Sequence, residues 1–159
     1  MPTADRELTL RFLAEPTDVN FGGKVHGGMV MKWIDQAVTQ NSNFTTLNIK
    51  SGLLKATGKT AEAEKMQNDA IALATEVELN LYGYQLMGQG EYDKAIEMFK
   101  LNTQRHPKSA NTWDSLGEGY YNKGDKKNAI ANFKKSLSMN PPANVKANSE
   151  KYLKELGEL

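Results

Sequence analysis

The residues whose types could do chemistry lie mostly near the start of the chain, in TDVNFGGKVHGGMVMKWIDQA (residues 17–37). This stretch holds an amide, Asn20, an imidazole, His26, and a carboxylate, Asp35, together with two glycine pairs. A phosphate-binding loop needs Gly-Lys followed by Ser or Thr, and here valine follows the lysine, so the stretch is not such a loop. The sequence places no Ser, Cys or carboxylate to complete a catalytic triad with His26.

The composition excludes several classes of function. Cysteine is absent, which removes disulfides, thiolate nucleophiles and cysteine-based zinc sites. Twenty basic residues against 19 acidic ones give a net charge of +1, so we expect no nucleic-acid or membrane partner. No apolar run is long enough to span a bilayer, and the first residues are too charged for a signal peptide. We expect a cytoplasmic protein with no metal and no cofactor.

The elements that must position any functional residue are set by an internal repeat of 34 residues. Sliding the C-terminal part of the chain by this period aligns residues of identical type: Gly83 with Gly117, Gly90 with Gly124, Ala95 with Ala129, Phe99 with Phe133, and Pro107 with Pro141. A fixed period of this length indicates stacked supersecondary units, in which periodic apolar residues form the core.

The later copy reads Trp113-x-x-Leu116-Gly117-x-x-Tyr120, followed by Ala129-x-x-x-Phe133 and Pro141. This pattern resembles the tetratricopeptide repeat, in which two antiparallel helices, A and B, form one unit. The resemblance implies that the small residues lie where helices A and B cross, and that the Trp, Leu, Tyr and Phe fill the core. Gly90 and Gly124 are expected to end helix A with a positive φ, and Asp125 to cap the next helix.

A third, weaker unit precedes these two. Leu47, Leu54, Gly58, Ala63 and Ala70 fit the same template, although Lys50 and Ser51 replace its apolar and small residues. Residues 144–156 form an amphipathic pattern typical of a capping helix. The predicted helices span residues 43–57, 60–74, 76–88, 91–105, 109–122, 125–138 and 144–156. The predicted fold is mostly α, a solenoid of about three helix pairs plus a cap, and it also resembles repeat tails of bacterial hydrolases and envelope proteins.

Residues 8–37 resemble the first strand and central-helix start of hotdog-fold acyl-CoA thioesterases. The shared pattern is a strand, Pro16-x-Asp18-x-Asn20, a glycine-containing loop, His26-Gly27-Gly28, and a helix with Trp33-x-Asp35. The resemblance implies that Asp35 acts as general base or nucleophile, that Asn20 positions water or substrate, and that the helix start at Gly28 polarises the thioester carbonyl. The sequence shows no further strands after Ala37, so we expect these residues to be remnants without catalysis.

The two resemblances together predict an N-terminal hotdog fragment (residues 1–38) joined to a helical-repeat domain (residues 39–159), of natural or engineered origin. The exposed apolar residues of the fragment favour self-association, as a homodimer formed through residues 8–40. Asn41-Ser42-Asn43 could cap a new helix at Phe44 or lie within one long helix, and the cap is favoured narrowly.

The predicted function is protein–protein interaction, with a protein or peptide ligand, or the chain itself, as the partner. The repeat positions on the A helices predict a peptide-binding groove. Its lining residues are Asn48, Lys55, Asn80, Tyr84, Met87, Asp114, Glu118 and Tyr121. Its acidic and aromatic last unit suggests a neutral or basic extended peptide. The alternatives are a thioesterase whose site is rebuilt by dimerisation, an accessory tail of a larger hydrolase, and a fusion without evolved activity.

Overall fold

The computed structural model describes residue 32, residues 35–39 and residues 41–159, and every regular element among them is helical. Apart from the helical residues 32 and 35–39, the helices, in chain order, are α1 (Phe44–Ala56), α2 (Thr60–Leu73), α3 (Glu76–Gly88), α4 (Tyr92–Arg105), α5 (Ala110–Lys123), α6 (Lys126–Leu137) and α7 (Ala143–Glu155). These bounds lie within one residue of the predicted ones, so the mostly α, paired-helix architecture is confirmed. The strand expected from residues 8–12 lies outside the described residues.

The described residues belong to two compact units that divide between Leu73 and Ala74. The boundary predicted at residue 38 stays a prediction. In the first unit, α1 packs on α2. Asn43 has an extended backbone and accepts a hydrogen bond from the Thr46 amide at 2.9 Å, while the Thr46 hydroxyl accepts one from the Asn43 amide at 3.2 Å. This reciprocal cap starts α1 after a break at residues 41–43, as the sequence favoured.

The crossing of α1 and α2 uses polar residues where the later repeats use small and aromatic ones. Ser51 is buried and donates a hydrogen bond to the Ala63 carbonyl at 2.8 Å, which offsets the cost of burying its hydroxyl. Gln67 stands at the position that Phe99 and Phe133 occupy in later repeats, and its buried Nε2 has no hydrogen-bond partner among the described residues. The weak match of this unit to the repeat template therefore corresponds to a polar crossing.

In each helix pair of the second unit, a phenylalanine of helix B packs on a glycine of helix A. Phe99 on α4 faces Gly83 on α3, and Phe133 on α6 faces Gly117 on α5. Both phenylalanines are fully buried, and so is the alanine one turn before each of them. Only a residue without a Cβ lets the ring approach the helix backbone this closely, which explains the glycines that the repeat pattern singled out.

The turns between helices follow the sequence signals. Gly124 ends α5 with φ 87° and Gly90 follows α3 with φ 78°, a region that costs glycine little. Asp125 caps α6 by accepting a hydrogen bond from the Asn128 amide at 3.1 Å.

Trp113 was expected in the core, but its side chain is only half-buried. Its indole N–H donates to the Pro107 carbonyl at 3.2 Å, so the ring lies at the loop where its polar edge finds a partner.

One buried polar side chain per repeat ties helix B to the first residue of helix A. Asn102 donates to the Glu76 carbonyl at 2.9 Å, and Ser136, 34 residues later, donates to the Ala110 carbonyl at 2.9 Å. Both side chains are fully buried. Because these bonds are shielded from water, they fix the register of the two helices in each pair.

The last helix, α7, packs on α5 and α6 and buries Val145, Ser149 and Leu153. Its opposite side is exposed and charged, with Glu150, Lys151 and Lys154. A helix with one buried and one charged side needs no further layer over it, so α7 has the character predicted for a cap.

Replacing Gly83 by alanine is expected to destabilise the second unit by about 1–3 kcal/mol, because a Cβ there would lie 2.8 Å from Cδ1 and Cζ of Phe99. Gly88→Ala on the same helix is the matched control, since nothing lies within 4 Å of its Cβ position, and it should be neutral or slightly stabilising. Urea unfolding followed by Trp113 fluorescence in a Trp33→Phe background measures both. Equal midpoints for the two variants would contradict the close crossing.

Ser136→Ala should cost about 1 kcal/mol, since it removes a buried hydrogen bond that joins α6 to α5. Ser138→Ala serves as control: Ser138 is exposed and bonds only within its own turn, so we expect a change within about 0.5 kcal/mol. The same urea titration distinguishes them, and an unchanged midpoint for Ser136→Ala would refute the role assigned to this bond.

Candidate functional site

Of the residues that the thioesterase resemblance nominated, Asp35 is described, whereas Asn20 and Gly28 lie outside the described residues. Asp35 is helical, and its carboxylate pairs with the Lys50 ammonium at 2.7 Å. The Asp35 side chain keeps 55% of its surface exposed. An exposed ion pair of this kind stabilises a fold weakly, and this geometry adds no catalytic feature to Asp35.

A second polar cluster joins the start of α3 to the loop between α4 and α5. The Ser109 hydroxyl donates to Oε1 of Glu76 at 2.6 Å, and Nδ1 of His106 lies 4.0 Å from Oε2. The Ser109 hydrogen bond goes to the Glu76 carboxylate and not to the His106 imidazole, so the three side chains do not have the order of a Ser–His–acid triad. The cluster holds the loop in place, and His106 is half-buried beside Glu76.

The A helices of the second unit, α3, α5 and α7, present three columns of side chains that recur every 34 residues. We call these nine residues the A face: Asn80, Asp114 and Asn148; Tyr84, Glu118 and Tyr152; Met87, Tyr121 and Glu155. Most of them are half-buried. Equivalent positions on successive A helices are neighbours because the helix pairs stack with the period of the repeat.

Glu118 lies at the centre of a hydrogen-bond network on the A face. Oε1 accepts from the Tyr84 hydroxyl at 2.9 Å and from Nδ2 of Asn148 at 2.7 Å. Oε2 accepts from the Tyr152 hydroxyl at 3.3 Å. The carboxylate is therefore held by one donor from α3 and two from α7, which fixes its position before any ligand arrives.

Asp114 extends this network toward the interior and is 4% exposed. Nδ2 of Asn148 donates to it at 2.7 Å, and the Ser149 hydroxyl donates to its other oxygen. Burial raises the pKa of the Asp114 carboxyl above its usual value, the two donors oppose that rise, and the negative charge of Glu118 adds to it. The described residues give Asp114 and Glu118 no ion-pair partner, so two neighbouring carboxylates rely on neutral donors.

Ring packing sets the positions of the tyrosine hydroxyls. The Tyr84 ring meets Phe99 edge-on with centroids 5.2 Å apart, and the Tyr152 ring stacks on Phe133 at 5.1 Å. Burial, and next the charge of Glu118, raise the pKa of Tyr152 to about 12, and the same two causes raise the pKa of Tyr84. Both hydroxyls therefore remain protonated donors at neutral pH.

The structure brings some of the predicted groove residues of the second unit together on one surface. Tyr84 and Asp114 share the Glu118 network, and Tyr121 joins the same surface by donating to Glu155 at 2.8 Å and packing its ring 4.7 Å from that of Tyr152. Met87 packs on the core around Phe99. Asn48 and Lys55 lie on α1, in the first unit.

Sequence reasoning missed the A-face residues of α7: Asn148, Tyr152 and Glu155. The signal was present, because the 34-residue period continues from Asp114 to Asn148 and from Glu118 to Tyr152. The amphipathic pattern of residues 144–156 indicated a cap, which obscured the role of α7 as a third A helix.

The described residues contain no group of three or more His, Cys, Asp or Glu side chains arranged to hold a metal ion. None of the helices described here has both the length and the hydropathy to cross a membrane. Neither finding adds a site to the A face.

Comparison with known proteins identifies one of the helix pairs directly. Residues 110–142, which contain α5 and α6, match the tetratricopeptide repeat family model. This helix pair is therefore similar to a tetratricopeptide repeat. The sequence prediction is confirmed for this repeat, whereas the hotdog resemblance of residues 8–37 finds no support in the comparisons.

Two sequence relatives share 31% identity over 70 residues, which is 44% of this chain and 6% of theirs. They are the putative cellulose synthase operon protein C of Escherichia coli O157:H7 and the cellulose synthase operon protein C of Escherichia coli strain K12. The crystal structure of MamA is similar with a TM-score of 0.51 and 16% identity, covering 99% of this chain and 94% of that one. At this identity the likeness shows the fold alone.

A tyrosinate titration tests the network around Glu118. An unfolded chain ionises tyrosine near pH 10, so the raised pKa values of Tyr84 and Tyr152 contribute stability that is complete below about pH 10 and is lost at higher pH, for Tyr152 as the pH rises through about 12. Absorbance at 295 nm should show that Tyr84 and Tyr152 ionise late, together with Tyr82 and Tyr121, whose pKa values are also raised. Glu118→Gln should move the ionisation of Tyr84 and Tyr152 to lower pH because it removes a negative charge.

Glu97→Gln makes the same chemical change at an exposed position on α4 and should leave the curve unchanged. Circular dichroism at each pH checks that the fold persists. A Glu118→Gln curve superimposable on that of the wild type would contradict the network.

Proposed function

We propose that this chain is a protein–protein interaction scaffold of the tetratricopeptide type, and that the A face binds a protein or peptide partner. The observation that carries the proposal is the alignment of nine side chains from three helices on one face, where Tyr84, Asn148 and Tyr152 donate hydrogen bonds to Glu118. The match of residues 110–142 to the repeat family supports it. No catalytic step is part of the proposal.

The chemistry of the A face suits a polypeptide ligand. Tyr84, Tyr121 and Tyr152 offer aromatic surface at a low entropy cost, since rings already packed against others lose little freedom on binding. The carboxylates and amides beside them can accept hydrogen bonds from backbone or side-chain N–H groups. Such a mixture of rings and polar acceptors is typical of binding surfaces rather than of cores.

The self-association and thioesterase alternatives depend on residues 8–40, most of which lie outside the described residues. Self-association through this segment would appear in sedimentation velocity as a dimer that is lost in a chain beginning at Gln40. Thioesterase activity would appear as acyl-CoA turnover that Asp35→Ala abolishes. The accessory-tail and fusion alternatives predict neither signal, and we place all of these behind the scaffold proposal.

Selection of displayed random 12-residue peptides on the full-length chain tests the proposal. We expect selected peptides to bind with micromolar affinity, and Tyr121→Ala to weaken that binding about tenfold, since the substitution removes a partly exposed ring from the A face. Isothermal titration calorimetry with the synthetic peptides measures the change.

Tyr92→Ala is the matched control, because Tyr92 is also a partly exposed tyrosine (37%) but lies on α4, away from the A face. It should change the affinity less than twofold. A failure to select any peptide, or equal losses from both variants, would refute the A face as the binding surface.

A further inference from the structure

Charged residues in the second unit are divided unevenly between the two kinds of helix. The B helices, α4 and α6, carry seven basic and two acidic side chains. The A face has Asp114, Glu118 and Glu155 and no basic residue. It therefore presents a negative potential, although the whole chain has a net charge of only +1.

Glu118 retains acceptor capacity after its internal hydrogen bonds are counted. A carboxylate offers about four lone-pair positions, two on each oxygen. Tyr84 and Asn148 occupy those of Oε1, and Tyr152 occupies one of those on Oε2. One position on Oε2 stays open, at the partly exposed centre of the A face.

The described part of the chain supplies no cation to this carboxylate. Lys151 lies on α7, but its ammonium is placed over the Tyr152 ring, 5.0 Å from the centroid, and forms no ion pair with Glu118. Four other lysines of this unit pair with acids outside the A face, as Lys134 does with Glu158. A negative charge held by neutral donors is thus available to an external cation.

Asn80 adds an independent sign that the A face has more acceptors than donors. It is equivalent to Asp114 in the preceding repeat, and its Oδ1 is buried without a hydrogen-bond partner among the described residues. A buried acceptor without a donor costs free energy, and here it shows a local excess of acceptors over donors. The A face is therefore short of hydrogen-bond donors and of positive charge.

We propose that Glu118 determines the specificity of the A face by binding one cationic side chain, lysine or arginine, of the protein partner. This inference rests on the proposed function and names the chemistry of its ligand. The contact is a charge-assisted hydrogen bond to Oε2 of Glu118. Because one acceptor position is open, the contact is single rather than bidentate, and lysine and arginine serve about equally.

The test compares peptide selections on the wild-type chain and on Glu118→Gln, with Glu97→Gln as a control that removes an exposed acid from α4. The amide introduced by Glu118→Gln keeps one acceptor oxygen for the tyrosine hydroxyls, and circular dichroism verifies the fold. We expect lysine and arginine to be enriched severalfold in peptides selected by the wild type and by Glu97→Gln. Peptides selected by Glu118→Gln should lack this enrichment.

A double-mutant cycle on one selected peptide completes the test. Replacing its basic residue by norleucine should weaken binding to the wild type about tenfold and leave binding to Glu118→Gln unchanged. Peptides without basic enrichment, or an equal norleucine effect on both proteins, would overturn the role of Glu118 while leaving the scaffold function in place. If no peptide is selected by any variant, both proposals fail.

Discussion

The contact between a fully buried phenylalanine and a glycine on the facing helix is the constraint on which the second unit depends. Phe99 packs on Gly83 within its own repeat, and its other ring edge lies against the position of Gly119 on the next A helix. One ring therefore sets both the spacing inside a pair and the spacing between pairs. Since the A helices approach each other at the distance this packing allows, side chains 34 residues apart can share hydrogen bonds across the A face.

The first unit lacks this contact between a phenylalanine and a glycine. Ser51 and Gln67 replace the glycine and the phenylalanine, and a hydrogen bond from Ser51 to the Ala63 carbonyl takes over part of their role. A polar crossing buries less apolar surface and leaves one amide nitrogen without a partner among the described residues. The two units thus use different chemistry at equivalent positions of one repeat template.

The helix bounds could be predicted from the sequence because the period, the glycines with positive φ and the capping residues act locally. The A-face residues Tyr84, Asp114 and Glu118 could also be nominated, since their repeat positions fix which side of a helix they occupy. Their arrangement could not, because it depends on donors from α7 and on rings from the B helices. Trp113 shows the same limit: its repeat position predicts a core residue, and only the loop geometry reveals the carbonyl that holds its indole at the surface.

The last helix, α7, both covers the core and contributes side chains to the A face. Its charged outer side shields the core from solvent, while Asn148 and Tyr152 on its inner side orient the Glu118 carboxylate. Substitutions of Asn148 or Tyr152 therefore change both the packing of α7 and the orientation of the Glu118 carboxylate. Transplanting α7 onto another repeat array would transfer two of the three donors that hold this carboxylate.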